Sequence, residues 1–464
     1  MVETNSVHSE TDMSKVSAEY LWTKYVRRRL PLKMSGMLQD KEWRASRWTD
    51  EYLHQQAGDS NVRVEVRDDS VDEHGRGRFG KGLETTMTFG EFLNKLGEEG
   101  NNLHYLTTQD LEYDEEGQPA ILSEPVKQLV GDFPWRPKIM GNLVLQNANI
   151  WFGKSSKAPT SSGLHHDFHD NLYILLRGRK HFTLYPPQCH EAMYTNEEIS
   201  KVHANGRINY VGHPPTNADG SDQAAVAASM ATKRLEEADD EGDEEGVEAA
   251  LEALLDAERS SEDEDDYDEE EGDDEAKVDS SDSEVDEDTM AAMKRKLAPA
   301  LGGLSSGSDR ATTKKRRTGT STGITTGTDT SCRSSTSNRP ANFSRVDTSM
   351  PLSSLRKEFP LFCSKQTQDQ RREVWLEAGQ MLYLPAGWFH EVTSDDGEDG
   401  CIERGGGGGG KGHLAFNYWF HPPDQLHEGA DHRQPYSSSF WAEDWARRAH
   451  SLSDPPPRKE QRSV

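Results

Sequence analysis

The chain has 464 residues, a formal net charge of −29, 33% hydrophobic residues and 4 cysteines, which leaves room for about one large domain beside any insert or tail. Cys189, Cys332, Cys363 and Cys401 form no C-x-x-C pair, so neither a disulfide framework nor a zinc finger is indicated. Residues 1–15 are polar without an apolar signal core and no run of about 18 apolar residues occurs, so the cell interior is expected, with neither secretion nor membrane spanning.

In chain order, the first stretch with chemical content is Leu164-His165-His166-Asp167. Residues two apart in a strand share a side, so His165 and Asp167 can hold one metal together while His166 points away. The adjacent pair His169-Asp170 would face opposite ways and ranks below it. A second histidine arrives far downstream in Pro385-Ala386-Gly387-Trp388-Phe389-His390. Two imidazoles and one carboxylate hold Fe(II) on one face and leave the opposite positions open, the ligand set of a non-haem iron oxygenase.

Residues 171–187 read as two strands joined by a turn at Gly178 and stopped by Pro186-Pro187. Residues 374–385 repeat the pattern around Gly379. Both ligand groups therefore fall on short strands of an antiparallel β architecture, which suits a barrel enclosing a small ligand.

His390 follows His165 by 225 positions, far more than a compact barrel needs, and the excess coincides with a change of composition over residues 212–340. Between Glu236 and Asp288 there are 30 acidic residues against the two bases Arg259 and Lys277, leaving 51 basic and 52 acidic residues elsewhere. Dense like charge with little apolar surface cannot offset chain entropy, so the segment is expected to be a disordered acidic insert. Within it, 249–255 has the composition of a short helix. Ser260, Ser261, Ser280, Ser281 and Ser283 lie in acidic surroundings that resemble acidophilic kinase sites. Lys294-Arg-Lys296 and Lys314-Lys-Arg-Arg317 read as a nuclear import signal, placing the protein in nucleus and/or cytoplasm. The acidic run suits basic protein partners. Gly405–Gly410 lacks the Lys-Ser/Thr of a phosphate loop and reads as a flexible hairpin extension. Residues 439–450 carry a Ser cap, early acids, late bases and Trp441/Trp445 one turn apart, which predicts a helix.

The segments 164–187, 377–393 and 414–422 resemble the jumonji-C family of Fe(II)- and 2-oxoglutarate-dependent oxygenases. Residues 48–53, 87–93 and 103–106 are similar to the N-terminal extension of its small protein hydroxylases, closest to the lysyl-hydroxylase subgroup. The resemblance implies a mainly β fold, a double-stranded β-helix of the cupin (jelly-roll) type with flanking helices. It also implies a domain plan: a disordered N-terminus 1–15, an α/β extension 16–132, the first barrel half 133–211, the insert 212–340, the second barrel half 341–427 and a C-terminal helix and tail 428–464.

Residue by residue, His165, Asp167 and His390 match the iron ligands. Lys180 matches the lysine that pairs with the distal carboxylate of 2-oxoglutarate, for which an ammonium on a flexible stem is suited. Ser162 and Asn171 fall where the family places a hydroxyl and an amide near the co-substrate. Tyr105 matches an upstream tyrosine donating to the same carboxylate, and Asn417 the polar residue of the last core strand. Dimerisation through the C-terminal helix is known in the family, so Trp441 and Trp445 are candidates for an interface as well as for packing on the parent domain. The implied activity is hydroxylation of a protein side chain using Fe(II), 2-oxoglutarate and dioxygen. A methyl-lysine demethylase, a tRNA hydroxylase and a non-catalytic scaffold stand as alternatives. The cysteine count speaks against the zinc modules usual in demethylases, the near-neutral globular part against nucleic acid, and the intact ligand set against a scaffold.

Overall fold

The computed structural model describes residues 6–66, 83–98, 104–113, 120–155, 159–262, 340–396 and 412–450. The strands, in chain order, begin with β1 (His8–Glu10), β2 (Leu32–Met34), β3 (Asn61–Val66), β4 (Leu83–Thr88), β5 (His104–Leu106) and β6 (Leu145–Gly153). There follow β7 (Thr160–Ser161), β8 (His165–His166), β9 (Asp170–Arg177), β10 (Arg179–Tyr185), β11 (Ile199–Val202) and β12 (Ile208–Tyr210). The last are β13 (Arg372–Glu377), β14 (Gln380–Leu384), β15 (Phe389–Asp395) and β16 (His413–Phe420).

Nine strands form one sheet in the order β1-β2-β14-β9-β16-β6-β5-β3-β4. Five form the second, ordered β13-β10-β15-β7 with β8 also on β15. Strands drawn from both ends of the sequence alternate in each sheet, as the expected cupin-type barrel requires. Each sheet is almost wholly antiparallel; β1 runs parallel to β2.

Strand parity separates two cores. All eight residues of β9 are buried. Tyr173 and Leu175 pack inward with Phe182, Leu184, Leu376, Leu382, Leu384 and Ala415, while Leu172, Ile174 and Leu176 join Phe416, Tyr418, Phe133 and Trp48 on the outer face. A sheet covered on both faces needs apolar residues at successive positions, which is why β9 reads Leu-Tyr-Ile-Leu-Leu rather than alternating. Each large apolar side chain buried this way contributes roughly 1.5–3 kcal/mol.

The N-terminal extension supplies that outer cover and also lengthens the large sheet, through β5, β3 and β4 at one edge and β2 and β1 at the other. Its helix Phe89–Gly97 starts at a reciprocal cap in which Thr88 and Glu91 satisfy each other's backbone amides.

Two boundaries differ from expectation. Residues 6–15, expected to be disordered, form β1 and a short helical turn, with the Val7 amide donating to the Glu373 carbonyl at 3.3 Å; pairing with strand edges orders a polar segment that has no core of its own. The segment 212–340 opens with structure: helices Gln223–Glu241 and Glu244–Glu262, joined at the left-handed Gly242, share a small core of Ala231, Leu235, Ala250, Leu251 and Leu254. Apolar residues spaced three and four apart let two acidic helices bury one stripe each, which a net-charge argument overlooks. Among the described residues this compact unit comprises 214–217 and 221–262, whereas 218–220 belong with the barrel. The serines Ser280, Ser281 and Ser283, both basic clusters and the glycine run 405–410 lie outside the described residues.

The predicted C-terminal helix spans Phe440–His450. Trp441 is buried against His421 and its indole donates to the Asp219 carbonyl at 3.2 Å, and Trp445 packs on the main core. No helix among the described residues is long and apolar enough to cross a membrane.

Candidate metal centre

His165 lies on β8 and His390 directly opposite it on β15, the two being register partners. Asp167 sits just past the end of β8, in the three-residue link to β9, so the link rather than strand alternation brings the carboxylate to the imidazoles. His165, Asp167 and His390 offer ligand atoms all within 4.8 Å of one another. The ring centroids of the histidines are 4.3 Å apart, and His390 Nε2 is 3.8 Å from Asp167 Oδ2. Both rings are oriented by backbone: Nδ1 of His165 lies 3.0 Å from the Gly163 carbonyl, and Nδ1 of His390 lies 2.9 Å from the Trp388 carbonyl. A carbonyl only accepts, so each Nδ1 carries a proton, which makes Nε2 the atom available to a metal in the neutral ring. Burial, with His390 alongside, lowers His165 to about 4, against the opposing pull of Asp167. The ring is therefore neutral near pH 7, as a metal ligand must be.

These donors fit a divalent metal of intermediate softness, two imidazole nitrogens and one carboxylate oxygen being the set that Fe(II) takes with open positions opposite. His166 points away, as expected, to the Tyr210 hydroxyl at 2.6 Å. The competing pair does not join the centre: Asp170 is fully buried against Arg29, and His169 stacks near Trp419.

Asn171 Nδ2 donates to Asp167 Oδ2 at 3.3 Å, Asn417 Nδ2 to Asn171 Oδ1 at 3.1 Å and Trp151 Nε1 to Asn417 Oδ1 at 2.8 Å. Three strands, β6, β16 and β9, thus pass one chain of hydrogen bonds to the carboxylate. The resemblance pointed to Asn171 and Asn417; Trp151, an aromatic on a buried strand, carried no signal of its own.

Further into the barrel Lys180 is only 2% exposed, its Nζ 5.9 Å from the ring centroids of both Tyr105 and Tyr173. Tyr105 reaches this position because Gly153 has no side chain; a Cβ there would lie 2.5 Å from the tyrosine ring. Ser155 Oγ, 3.0 Å from Thr160 Oγ1 and 3.1 Å from His413 Nε2, forms a polar cluster at this end. Ser162 is placed differently: its hydroxyl donates to the Gly163 carbonyl and accepts from the Val392 amide, both at 2.9 Å, fastening β7 to β15.

Two buried N–H donors on inward-facing positions, Asn149 Nδ2 on β6 and Trp419 Nε1 on β16, find no partner among the described residues. Asn149 pairs in register with Asn417, and Trp419 with Asn171. Orphan donors and a buried ammonium within one barrel fit a ligand rich in acceptor oxygens, such as a dicarboxylate.

The segment after the insert closes the other side. Phe343 stacks on His165 at 4.8 Å and 11°, while Asn342 exchanges hydrogen bonds with the His166 backbone.

Against known proteins, residues 17–426 match the Cupin-like domain family. The chain is similar to "JmjC domain-containing protein 4" of Schizosaccharomyces pombe, 32% identical over 458 residues that cover 92% of this chain and 86% of that protein. It is 27% identical over 205 residues to "JmjC domain-containing protein E" of Dictyostelium discoideum, covering 40% of this chain and 54% of the relative. The human "Bifunctional peptidase and (3S)-lysyl hydroxylase JMJD7" is 29% identical over 153 residues, 32% of this chain and 45% of the human protein.

Proposed function

Because the chain belongs to the JmjC family of cupin-like domains, we propose that it is an Fe(II)- and 2-oxoglutarate-dependent dioxygenase that hydroxylates a protein side chain. The observation that carries this reading is the convergence of His165, Asp167 and His390 at one end of a barrel whose interior buries Lys180. When bound, Fe(II) with 2-oxoglutarate and dioxygen supplies the means to put one oxygen atom on an unactivated C–H bond, the co-substrate leaving as succinate and carbon dioxide.

The protein's own residues then have defined tasks. His165 and His390 hold their Nε2 atoms toward the metal because their Nδ1 atoms are engaged by carbonyls. Asn171 orients the Asp167 carboxylate. Lys180 pairs with the distal carboxylate of the co-substrate, and Tyr105 and Tyr173 line its ammonium, exclude water and strengthen that pairing. Asn149 and Trp419 offer their N–H groups to the ligand's remaining oxygens.

A lysine target is favoured by the similarity to a protein whose name includes lysyl hydroxylase. The acidic run is read as a surface for basic partners, and the basic clusters as a route into the nucleus. The test is succinate formation from 2-oxoglutarate by purified protein with Fe(II), followed by mass spectrometry of cellular proteins with and without the enzyme. A gain of one oxygen on a side chain supports hydroxylation, whereas loss of a methyl group would make the protein a demethylase. No turnover at all, in the presence of cell extract as substrate, would remove the oxygenase reading.

A further inference from the structure

Arg29 lies in the turn three residues beyond the helical segment Trp22–Val26 and has a positive φ of 55°, a conformation that favours glycine. Glycine there would relieve the backbone, but it has no guanidinium. The Arg29 side chain crosses to Asp170, the first residue of β9, with Nη1 at 2.8 Å from Oδ2 and Nη2 at 2.5 Å from Oδ1. This two-pronged pair is enclosed, the side chains being 10% and 0% exposed.

Asp170 accepts two more bonds. The Tyr383 hydroxyl on β14 donates at 2.6 Å and the Ala386 backbone amide at 2.9 Å. Asp170 lies three residues after Asp167, and Ala386 four before His390. Other bonds tie the same two segments together. The Gly387 amide donates to the Asp167 carbonyl at 2.9 Å, and the Trp388 indole donates to the Arg29 carbonyl at 3.0 Å. Trp388 in turn presents the carbonyl that fixes His390. Arg29 Nε donates to the Asn205 carbonyl at 2.7 Å, next to Gly206, whose carbonyl would lie 1.7 Å from any Cβ on Gly387.

We infer that the Arg29–Asp170 pair is a positioning device for the metal centre, a buried tie from the N-terminal extension that sets the spacing between the Asp167 link and the turn before His390. The inference rests on the metal reading given above. Its physical content is that, among the described residues, no side-chain hydrogen bond joins Asp167 to His390 themselves, so their separation is set by the Gly387–Asp167 backbone bond and by the Asp170 contacts behind it. Arg29 also neutralises a second carboxylate close to Asp167, leaving Asp167 as the anion that meets the metal.

The experiment uses the full chain and Co(II) as the metal probe, followed by visible absorption, which reports ligand geometry, and by titration. Replacing the pair with apolar groups, Arg29→Met with Asp170→Leu, avoids leaving one charge buried alone. The expected result is a folded protein with at least about tenfold weaker Co(II) binding and a changed spectrum, in the range found for groups that orient metal ligands. Tyr383→Phe removes one donor without touching the charges, and a loss of a few fold is expected; it keeps the proposal testable if the double variant does not fold. The control is Arg177→Met with Asp50→Leu, which removes another ion pair of this barrel distant from the ligand segments. It should lower thermal stability and leave the Co(II) spectrum as in the unaltered protein. If the Arg29–Asp170 variants bind Co(II) as the unaltered protein does, or if both sets lose affinity only in step with thermal stability, the pair is structural and the inference falls. If the unaltered protein binds no Co(II), the metal reading itself fails, and the positioning role with it.

Discussion

Phe343 lies flat against His165, ring centroids 4.8 Å apart and planes 11° from parallel, so the chain returning from the long insert ends on a candidate metal ligand. The backbone around it is fastened as well, the Ser344 amide donating to the Leu164 carbonyl at 2.8 Å. The stacking restrains the ring plane from the side opposite His390.

Phe343→Ala should therefore loosen His165 without unfolding the barrel. A stacked aromatic pair contributes about 0.5–1.5 kcal/mol, which predicts roughly 2- to 10-fold weaker Fe(II) or Co(II) binding. Titration of the metal on the purified variant measures it, and unchanged affinity would mean that the ring merely fills space.

Lys180→Ala should weaken 2-oxoglutarate while metal still binds. A hydrogen bond to a charged group is worth on the order of 1.5–3 kcal/mol, or about 10- to 100-fold in affinity. The apparent KM for 2-oxoglutarate in succinate formation reads this directly. An unaltered KM would show that the buried ammonium serves the fold.

Asn171→Leu removes the donor to Asp167 and strands the Asn417 amide that now bonds to it. Loss of an orienting partner of a metal ligand predicts about 10- to 100-fold weaker metal binding. The matching change at Trp151→Phe, one step further along the chain, should cost less; a larger effect at Trp151 than at Asn171 would contradict the relay.

Acid should destabilise the fold through His421. Burial pulls its imidazole well below the ordinary 6.5, and His169, Arg448 and Arg207 push in the same direction. A base whose folded pKa is depressed takes its proton preferentially on unfolding, so stability from the neutral ring is complete above about pH 6.5 and is lost as pH falls below it. The slope approaches about 1.4 kcal/mol per pH unit for one such group. Urea midpoints at falling pH should show a shallower slope in His421→Asn; an identical slope would assign the acid sensitivity elsewhere.

Excising residues 223–327 in favour of a short Gly/Ser linker should leave a folded, metal-binding barrel, since the helices Gln223–Glu241 and Glu244–Glu262 belong to a separate unit with its own small core. Excising 212–340 instead removes Ala218, whose carbonyl accepts from Asn205, and Asp219, whose carbonyl holds Trp441. That longer excision should lower the melting temperature. Equal stability of the two would show that the short stretch 218–220 does not anchor the barrel.

The local chemistry of the sequence was sufficient to mark the candidate cluster His165, Asp167 and His390 and the barrel that carries it. Histidine and aspartate at close spacing, strands ended by Gly178 and Pro186, and a composition break between the two ligand groups are all short-range signals. Periodicity also predicted the C-terminal helix, and apolar spacing within 249–255 marked one helix of a hairpin whose other half the charge count concealed. Tertiary structure alone decided what surrounds the ligands. Arg29 and Asp170 are 141 positions apart, Trp151 and Asn417 266, and Phe343 reaches His165 across the whole insert. Nothing in the residues next to Arg29 distinguishes it from Arg27 and Arg28, and Ser162 matched a co-substrate position yet turned its hydroxyl to the backbone. The capacity of this cluster to bind a metal is carried by residue type and short spacing, which a sequence displays. The orientation of those ligands comes from hydrogen bonds between strands whose order in the sheet is unrelated to their order in the chain.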